Sequence, residues 1–145
     1  MKKLLFSVLL FCCALLAQAQ LENMLGEWTT IDDKTSQPKS VVQIFQATNG
    51  LYYGKITALF RKDADGLLCE KCKGADQNKP VLGMLIIREM KVDGNNLAGG
   101  TILDPQSGDV YYCKISLDKN GKLKLRGSLD KRGLLGRSQY WERKK

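Results

Sequence analysis

The fold class predicted is all-β, an eight-stranded antiparallel up-and-down barrel with a short N-terminal helical or irregular lead-in. Three observations predict it. Short apolar/polar alternating segments fill the chain after residue 25. Turn residues stand at nearly every join between them, and no helical period intervenes. Meander order also lets the first and last strands pair, which removes both exposed edges. An open sheet or a two-sheet sandwich is the competing arrangement.

The elements follow in order. The lead-in is Leu21-Glu22-Asn23-Met24-Leu25. Strands are expected at Gly26–Ile31, Ser40–Ala47 and Leu51–Phe60, the last two joined by Thr48-Asn49-Gly50, an Asn-Gly hairpin signal. Met84–Val92 and Asn96–Leu103 flank the turn Asp93-Gly94-Asn95. Asp109–Leu117 follows the turn from Asp104 to Gly108. Lys122–Leu129 follows Asp118-Lys119-Asn120-Gly121, and Leu135–Arg143 closes the set. Asp104-Pro105 with Gly108 is tight-turn chemistry. Asp32 and Asp33 also read as a turn, because neighbours in an extended segment point opposite ways and make a poor catalytic pair. One connection departs from hairpin lengths. Residues 61–83 join the third and fourth strands, and loops longer than about 12–15 residues are usually functional or held by something.

The N-terminus carries Lys2 and Lys3, an apolar run from Leu4 to about Leu16, and a small-x-small site, Ala17-Gln18-Ala19. That pattern is a secretory signal peptide over 1–19, too short and wrongly flanked for a spanning helix. Cys12 and Cys13 fall inside the apolar run and leave with it. The expected product is one domain over 20–145, exported, periplasmic or secreted, with no transmembrane segment in the mature chain. The chain carries 23 basic and 15 acidic residues and no histidine. Net positive charge suggests nucleic acid, but export argues against that partner and the cations are spread out. A basic surface, or attraction to an anionic envelope lipid or polysaccharide, remains.

Alternation assigns faces. Gly26, Trp28 and Thr30 share one face of the first strand; Leu135, Arg137, Gln139, Trp141 and Arg143 share one face of the last. If the tryptophans point inward, Arg137 and Gln139 do too, and a buried guanidinium must be paired or hold an anion. The alternative places Arg137 at the barrel mouth, reaching water along its stem. On the seventh strand Leu123, Leu125 and Leu129 share a face opposite Lys122, Lys124 and Arg126, so Arg126 points outward.

Cys69 and Cys72 lie in the long connection as Cys-Glu-Lys-Cys. Two cysteines, a third at Cys113 and no histidine make a poor structural zinc site, so no metal and no cofactor is expected. A thioredoxin-like couple needs a helix start after a parallel strand, and neither occurs. A disulfide between Cys69 and Cys72 fits an oxidising compartment. Cys113 is then a buried free thiol, or instead bridges one of the loop cysteines.

The blocks Gly26-Glu27-Trp28, Asp32-Asp33-Lys34-Thr35, Tyr53-Gly54-Lys55-Ile56, Cys69-Glu70-Lys71-Cys72, Gly100-Thr101-Ile102-Leu103-Asp104-Pro105, Leu125-Arg126-Gly127 and Gly136-Arg137-Ser138-Gln139-Tyr140-Trp141 occur in this order. In this the chain resembles the exported bacterial family called domain of unknown function 2147. The resemblance implies a lipocalin-like fold and no established activity. It extends to the lipocalin-type closure, in which a Gly-x-Trp is covered by an arginine of the last strand; Gly26, Trp28 and either Arg143 or Arg137 match those roles. Ser36 stands where that family usually has glycine, Ser138 replaces a threonine, and Ser128 a frequent aromatic.

These readings point to a non-enzymatic binding module for a small apolar or amphiphilic ligand. Aromatic faces (Trp28, Phe45, Tyr52, Tyr111, Trp141) with Arg137 and Gln139 are the candidate ligand contacts. An envelope structural or interaction protein with a filled barrel is the alternative, the cysteine-clasped loop then being a gate or partner surface. Catalysis is not expected: histidine-based triads need a residue the chain lacks, and there is no Gly-x-Ser-x-Gly elbow.

Overall fold

The computed structural model describes residue 13 and residues 15–145. Most of the expected signal peptide, Cys12 included, lies outside the described residues. Eight strands run β1 (Gly26–Ile31), β2 (Pro38–Gln46), β3 (Tyr52–Leu59), β4 (Leu85–Asp93), β5 (Asn96–Leu103), β6 (Val110–Leu117), β7 (Leu123–Ser128) and β8 (Gly136–Arg143). They form a closed barrel in sequence order. Every neighbouring pair is antiparallel, and β1 meets β8 to complete the ring. The open sheet and the sandwich are thereby excluded.

Period-two alternation decides what faces in. Along β7, Leu123 and Leu125 are buried while Lys124 and Arg126 lie on the other face. Register carries the same face around the ring: Leu97 opposes Ile115, Ile115 opposes Leu125, and Leu123 opposes Trp141. Trp28, Ile44, Ile87, Met90, Leu97, Ile115 and Leu123 are almost wholly removed from water. That half of the interior is packed with side chains, as an eight-stranded barrel allows.

Aspartates build the turns. Asp32 accepts from the backbone N–H groups of Lys34 and Thr35 and from the Thr35 hydroxyl. Those bonds, the Thr35 N–H foremost, hold its carboxyl below the usual range. Asp104, Asp118 and Asp130 accept backbone N–H groups in their own turns. Ser36 sits in the first of these turns at φ 56°, the left-handed region that favours glycine.

The 60–84 connection is not a loose loop. Cys69 and Cys72 are bonded to each other. Both are buried in the main apolar cluster, with Val81 and Met84. Ile86 and Leu103 alternate onto the outer wall, yet they too are buried, because this segment lies over them. Arg88 on β4 pins it, donating to both carboxylate oxygens of Asp76 at 2.7 and 2.9 Å and to the Leu85 carbonyl at 2.8 Å. Gly108 touches it from the other side: a Cβ there would fall 2.0 Å from the Lys71 carbonyl oxygen. The segment is a packed outer layer of the barrel. Cys113 is free and buried, so it forms no bridge to the loop. Burial pushes its thiol up to about 12.

Candidate functional site

The two barrel ends are built differently. One end is closed by the last turn of a helix over 15–22 and the turn after it, which place Leu21 and Met24 under the barrel while Leu15 and Leu16 stay exposed. The Trp28 indole N–H donates to the Met24 carbonyl at 2.9 Å. The Arg143 guanidinium lies 3.9 Å from the centre of the Trp28 ring. It donates to the Leu25 carbonyl at 2.7 Å and to that of Asn23. Burial draws its pKa down from the ordinary value. Gly26 lies directly against this cation, since a Cβ there would sit 3.1 Å from Arg143 Nη1. Of the two arginines that fit the closure, Arg143 occupies it. The β1–β8 seam is short, Trp28 opposite Arg143 and Thr29 opposite Glu142, and it is extended by a Lys144–Glu27 ion pair at 2.8 Å.

The other end is open and ringed by the connections 32–37, 60–84, 104–109 and 129–135. Arg137 and Gln139 do share the inward face with Trp141, but they lie in the first half of β8, the half nearer the mouth. Gln139 is half-buried and donates to Asp33 Oδ2 at 2.7 Å. Arg137 lies 3.6 Å from the same oxygen with its side chain 74% exposed. Of the two placements the sequence leaves open for Arg137, the one at the mouth is found: three residues on β8 separate it from the buried Trp141, and its charge stays in water.

The remaining candidates divide by depth. Trp28 belongs to the plug. Tyr52 is buried opposite Met90 near the closed end. Trp141 is buried, and its indole N–H has no acceptor among the described residues. Tyr111 faces inward near the mouth, half-buried, opposite Ile102. Phe45 is corrected: it faces outward and stacks on Tyr53 at 6.1 Å. A crevice of about 430 Å³ lies at the rim, lined by Tyr111, Leu129, Leu103 and Val110 with Lys73 and Asp76 from the packed loop. Inward-facing Gly127 has only ordinary contacts around it, the nearest being Tyr111 at 3.6 Å.

Sequence reasoning missed Asp33 as the partner that gathers Arg137 and Gln139. The Asp-Asp pair was the available signal, and its second member is left over once Asp32 makes the turn. It also missed Arg88, whose partner Asp76 is 12 residues away in the irregular loop.

The chain belongs to the family described as uncharacterised protein conserved in bacteria, DUF2147. The match covers residues 26–143, which is the whole barrel. A search of curated proteins found no match. Among solved structures, the chain is similar to protein HP1028 from the human pathogen Helicobacter pylori, described as belonging to the lipocalin family. The TM-score is 0.69 and the identity 23%, over 83% of this chain and 82% of that one. This DUF2147 chain thus has a lipocalin-like barrel.

Proposed function

We propose that this DUF2147 protein is a non-enzymatic binding module that takes a small amphiphilic molecule at its open end. One observation carries the reading: Arg137, Gln139 and Asp33 converge at a mouth whose far end is plugged. A few polar groups beside apolar side chains are what a small-molecule site requires; the rim crevice of about 430 Å³, lined by Tyr111 and Leu129 but by none of these three polar residues, is further room at the same end. The apolar part of the ligand would lie against Tyr111, Ile102 and Leu129, with its polar head at Arg137 and Gln139. The Trp141 N–H offers one donor further in.

Titration of delipidated protein with fatty acids and other single-chain amphiphiles tests this, followed by intrinsic fluorescence and by displacement of an environment-sensitive dye. Saturable binding is expected for anionic amphiphiles, weakened at least roughly fivefold by Arg137→Gln, as for a lost charge-assisted hydrogen bond. No saturable binding across the series would sink the reading.

A filled barrel acting as a structural or interaction protein is the second reading. The dry packing of the closed half, from Trp28 through Met90 to Leu123, favours it. Under either reading the protein acts outside the cytoplasm. The Cys69–Cys72 bond and the leader-like N-terminus support that placement.

A further inference from the structure

The 129–135 loop is tied by hydrogen bonds and yet displays its leucines to water. Asp130 accepts from the backbone N–H groups of Leu134 and Leu135 at 3.2 and 2.7 Å. Arg126 reaches up from β7 and donates to the carbonyls of Gly133 and Leu134 at 2.5 and 3.2 Å. Ser128 donates to the Asp130 carbonyl at 2.9 Å. With its backbone so tied, the loop still leaves Leu134 69% and Leu135 66% exposed, with Leu129 beside them at 70%. A loop that merely connected two strands would have no reason to hold three leucines out, since apolar surface gains by leaving water.

Cations predominate around Leu134 and Leu135, while Leu129 also borders Asp76 and Asp109 across the rim crevice. Lys131 and Arg132 occupy the same loop. Lys124 and Arg126 continue the cations down the outer face of β7. Lys124 lies 5.9 Å from the Tyr140 ring, itself exposed on the next strand. On the outer face of β6 to β8 the acid is Glu142, already bonded to Lys122 at 2.9 Å. Asp130 is turned into its own loop backbone. A cationic wall thus leads to an apolar tip.

We infer that this face docks the protein on an anionic lipid bilayer, with Leu134 and Leu135 entering the interface and Lys131, Arg132 and Lys124 over the headgroups. A soluble polyanion would reward the cations and leave the leucines in water. A neutral apolar partner would reward the leucines and leave the cations unmatched. Only a surface that is charged outside and apolar beneath uses both, and reversible attachment commonly needs two such signals. The loop borders the mouth, so docking would also set the mouth against the membrane. The inference goes beyond the ligand reading and does not depend on it.

The test is vesicle flotation with the exported protein as processed by the cell. Vesicles are phosphatidylcholine alone, or phosphatidylcholine with about a third phosphatidylglycerol, at low and high salt. Binding to the anionic vesicles is expected, at least roughly tenfold tighter than to neutral ones and lost at high salt. Leu134→Ser with Leu135→Ser, and separately Lys131→Gln with Arg132→Gln, should each weaken it roughly tenfold. Lys91→Gln, on exposed β4, should change nothing. All these side chains are outside the core, and unchanged urea midpoints will show that the variants remain folded. Absent binding, or equal binding to both vesicles, would overturn the inference. So would binding that ignores the leucines and is competed by a soluble polyanion, which would identify a polyanion as the partner.

Discussion

Replacing Arg143 with alanine should unseat the closed end of the barrel. The guanidinium makes three contacts there that alanine cannot: the Trp28 face at 3.9 Å and the carbonyls of Leu25 and Asn23. A cation over an indole, partly desolvated, contributes about 1 kcal/mol. Two hydrogen bonds from a charged donor would contribute up to about 3 kcal/mol each if buried, and about 1 kcal/mol each at a site as open as this one. The sum is about 3 kcal/mol. With a urea m-value of about 1.5 kcal/mol/M for a domain of this size, the unfolding midpoint should fall by roughly 2 M. Arg143→Lys keeps the charge but not the fork, and should recover only about a third of the loss. Arg137→Ala is the control, because Arg137 stands at the other end in water; its midpoint should match wild type. The assay is equilibrium urea unfolding followed by tryptophan fluorescence, with Trp28 reporting directly on the site. A midpoint shift below about 0.5 M for Arg143→Ala, or one equal to that of Arg137→Ala, would refute the closure.

Three further outcomes are expected. Asp76→Asn should cost about 1–2 kcal/mol, the low end for a bidentate pair because both side chains retain some exposure. The Arg88 hydrogen bonds hold the Asp76 carboxyl below its ordinary 3.8, so that contribution is full above the unfolded value and lost as pH falls through the folded one; the wild-type advantage in urea midpoint should vanish in strong acid. Cys113 is displaced the other way, from 9.0 to about 12, so its contribution is full below 9 and declines from there up to about 12, approaching 1.4 kcal/mol per pH unit; Cys113→Ala should flatten that slope, and a thiol reagent should react with wild type only after unfolding. Ser36→Gly relieves a left-handed serine at about 1 kcal/mol and returns about half of that through a freer unfolded chain, so the melting midpoint should rise by about 2 °C; a fall would refute the strain.

The barrel was legible because period-two alternation and turn residues are local signals, and all eight strands lie within two residues of their expected bounds. Closure followed from meander order together with the need to cover edges. The mouth was less legible. Alternation correctly put Arg137, Gln139 and Trp141 on one face, but a face does not report depth, and depth depends on where β8 begins along the barrel axis. The same blindness affected Phe45, whose outward face became clear only from its pairing with Tyr53. The 60–84 segment was least legible. Its hold rests on Arg88 reaching Asp76 and on the missing side chain at Gly108, and neither contact has a local pattern. Ser36 shows the converse: its departure from the family's glycine was visible as a letter, while its positive φ gives the letter a cost.

The placement of acids links the fold to the surface it presents. Asp32, Asp104, Asp118 and Asp130 each bind the N–H groups of their own turns. Glu27, Asp76 and Glu142 are paired with Lys144, Arg88 and Lys122. Negative charge is thereby spent on holding the chain in shape, and the cations with no such task remain where the outer wall leaves them. On β7 and its loop that remainder is Lys124, lower on the wall against Tyr140, and Lys131 and Arg132, in the loop whose leucines the core has not taken. Side chains from Trp28 to Leu123 fill the closed half. A ligand held at the other end, as proposed, would meet the same rim that carries the exposed leucines. Membrane attachment and ligand capture would then fall on adjacent surfaces. Leu129, which both lines the crevice and stands beside Leu134, is the residue whose truncation should disturb the two together.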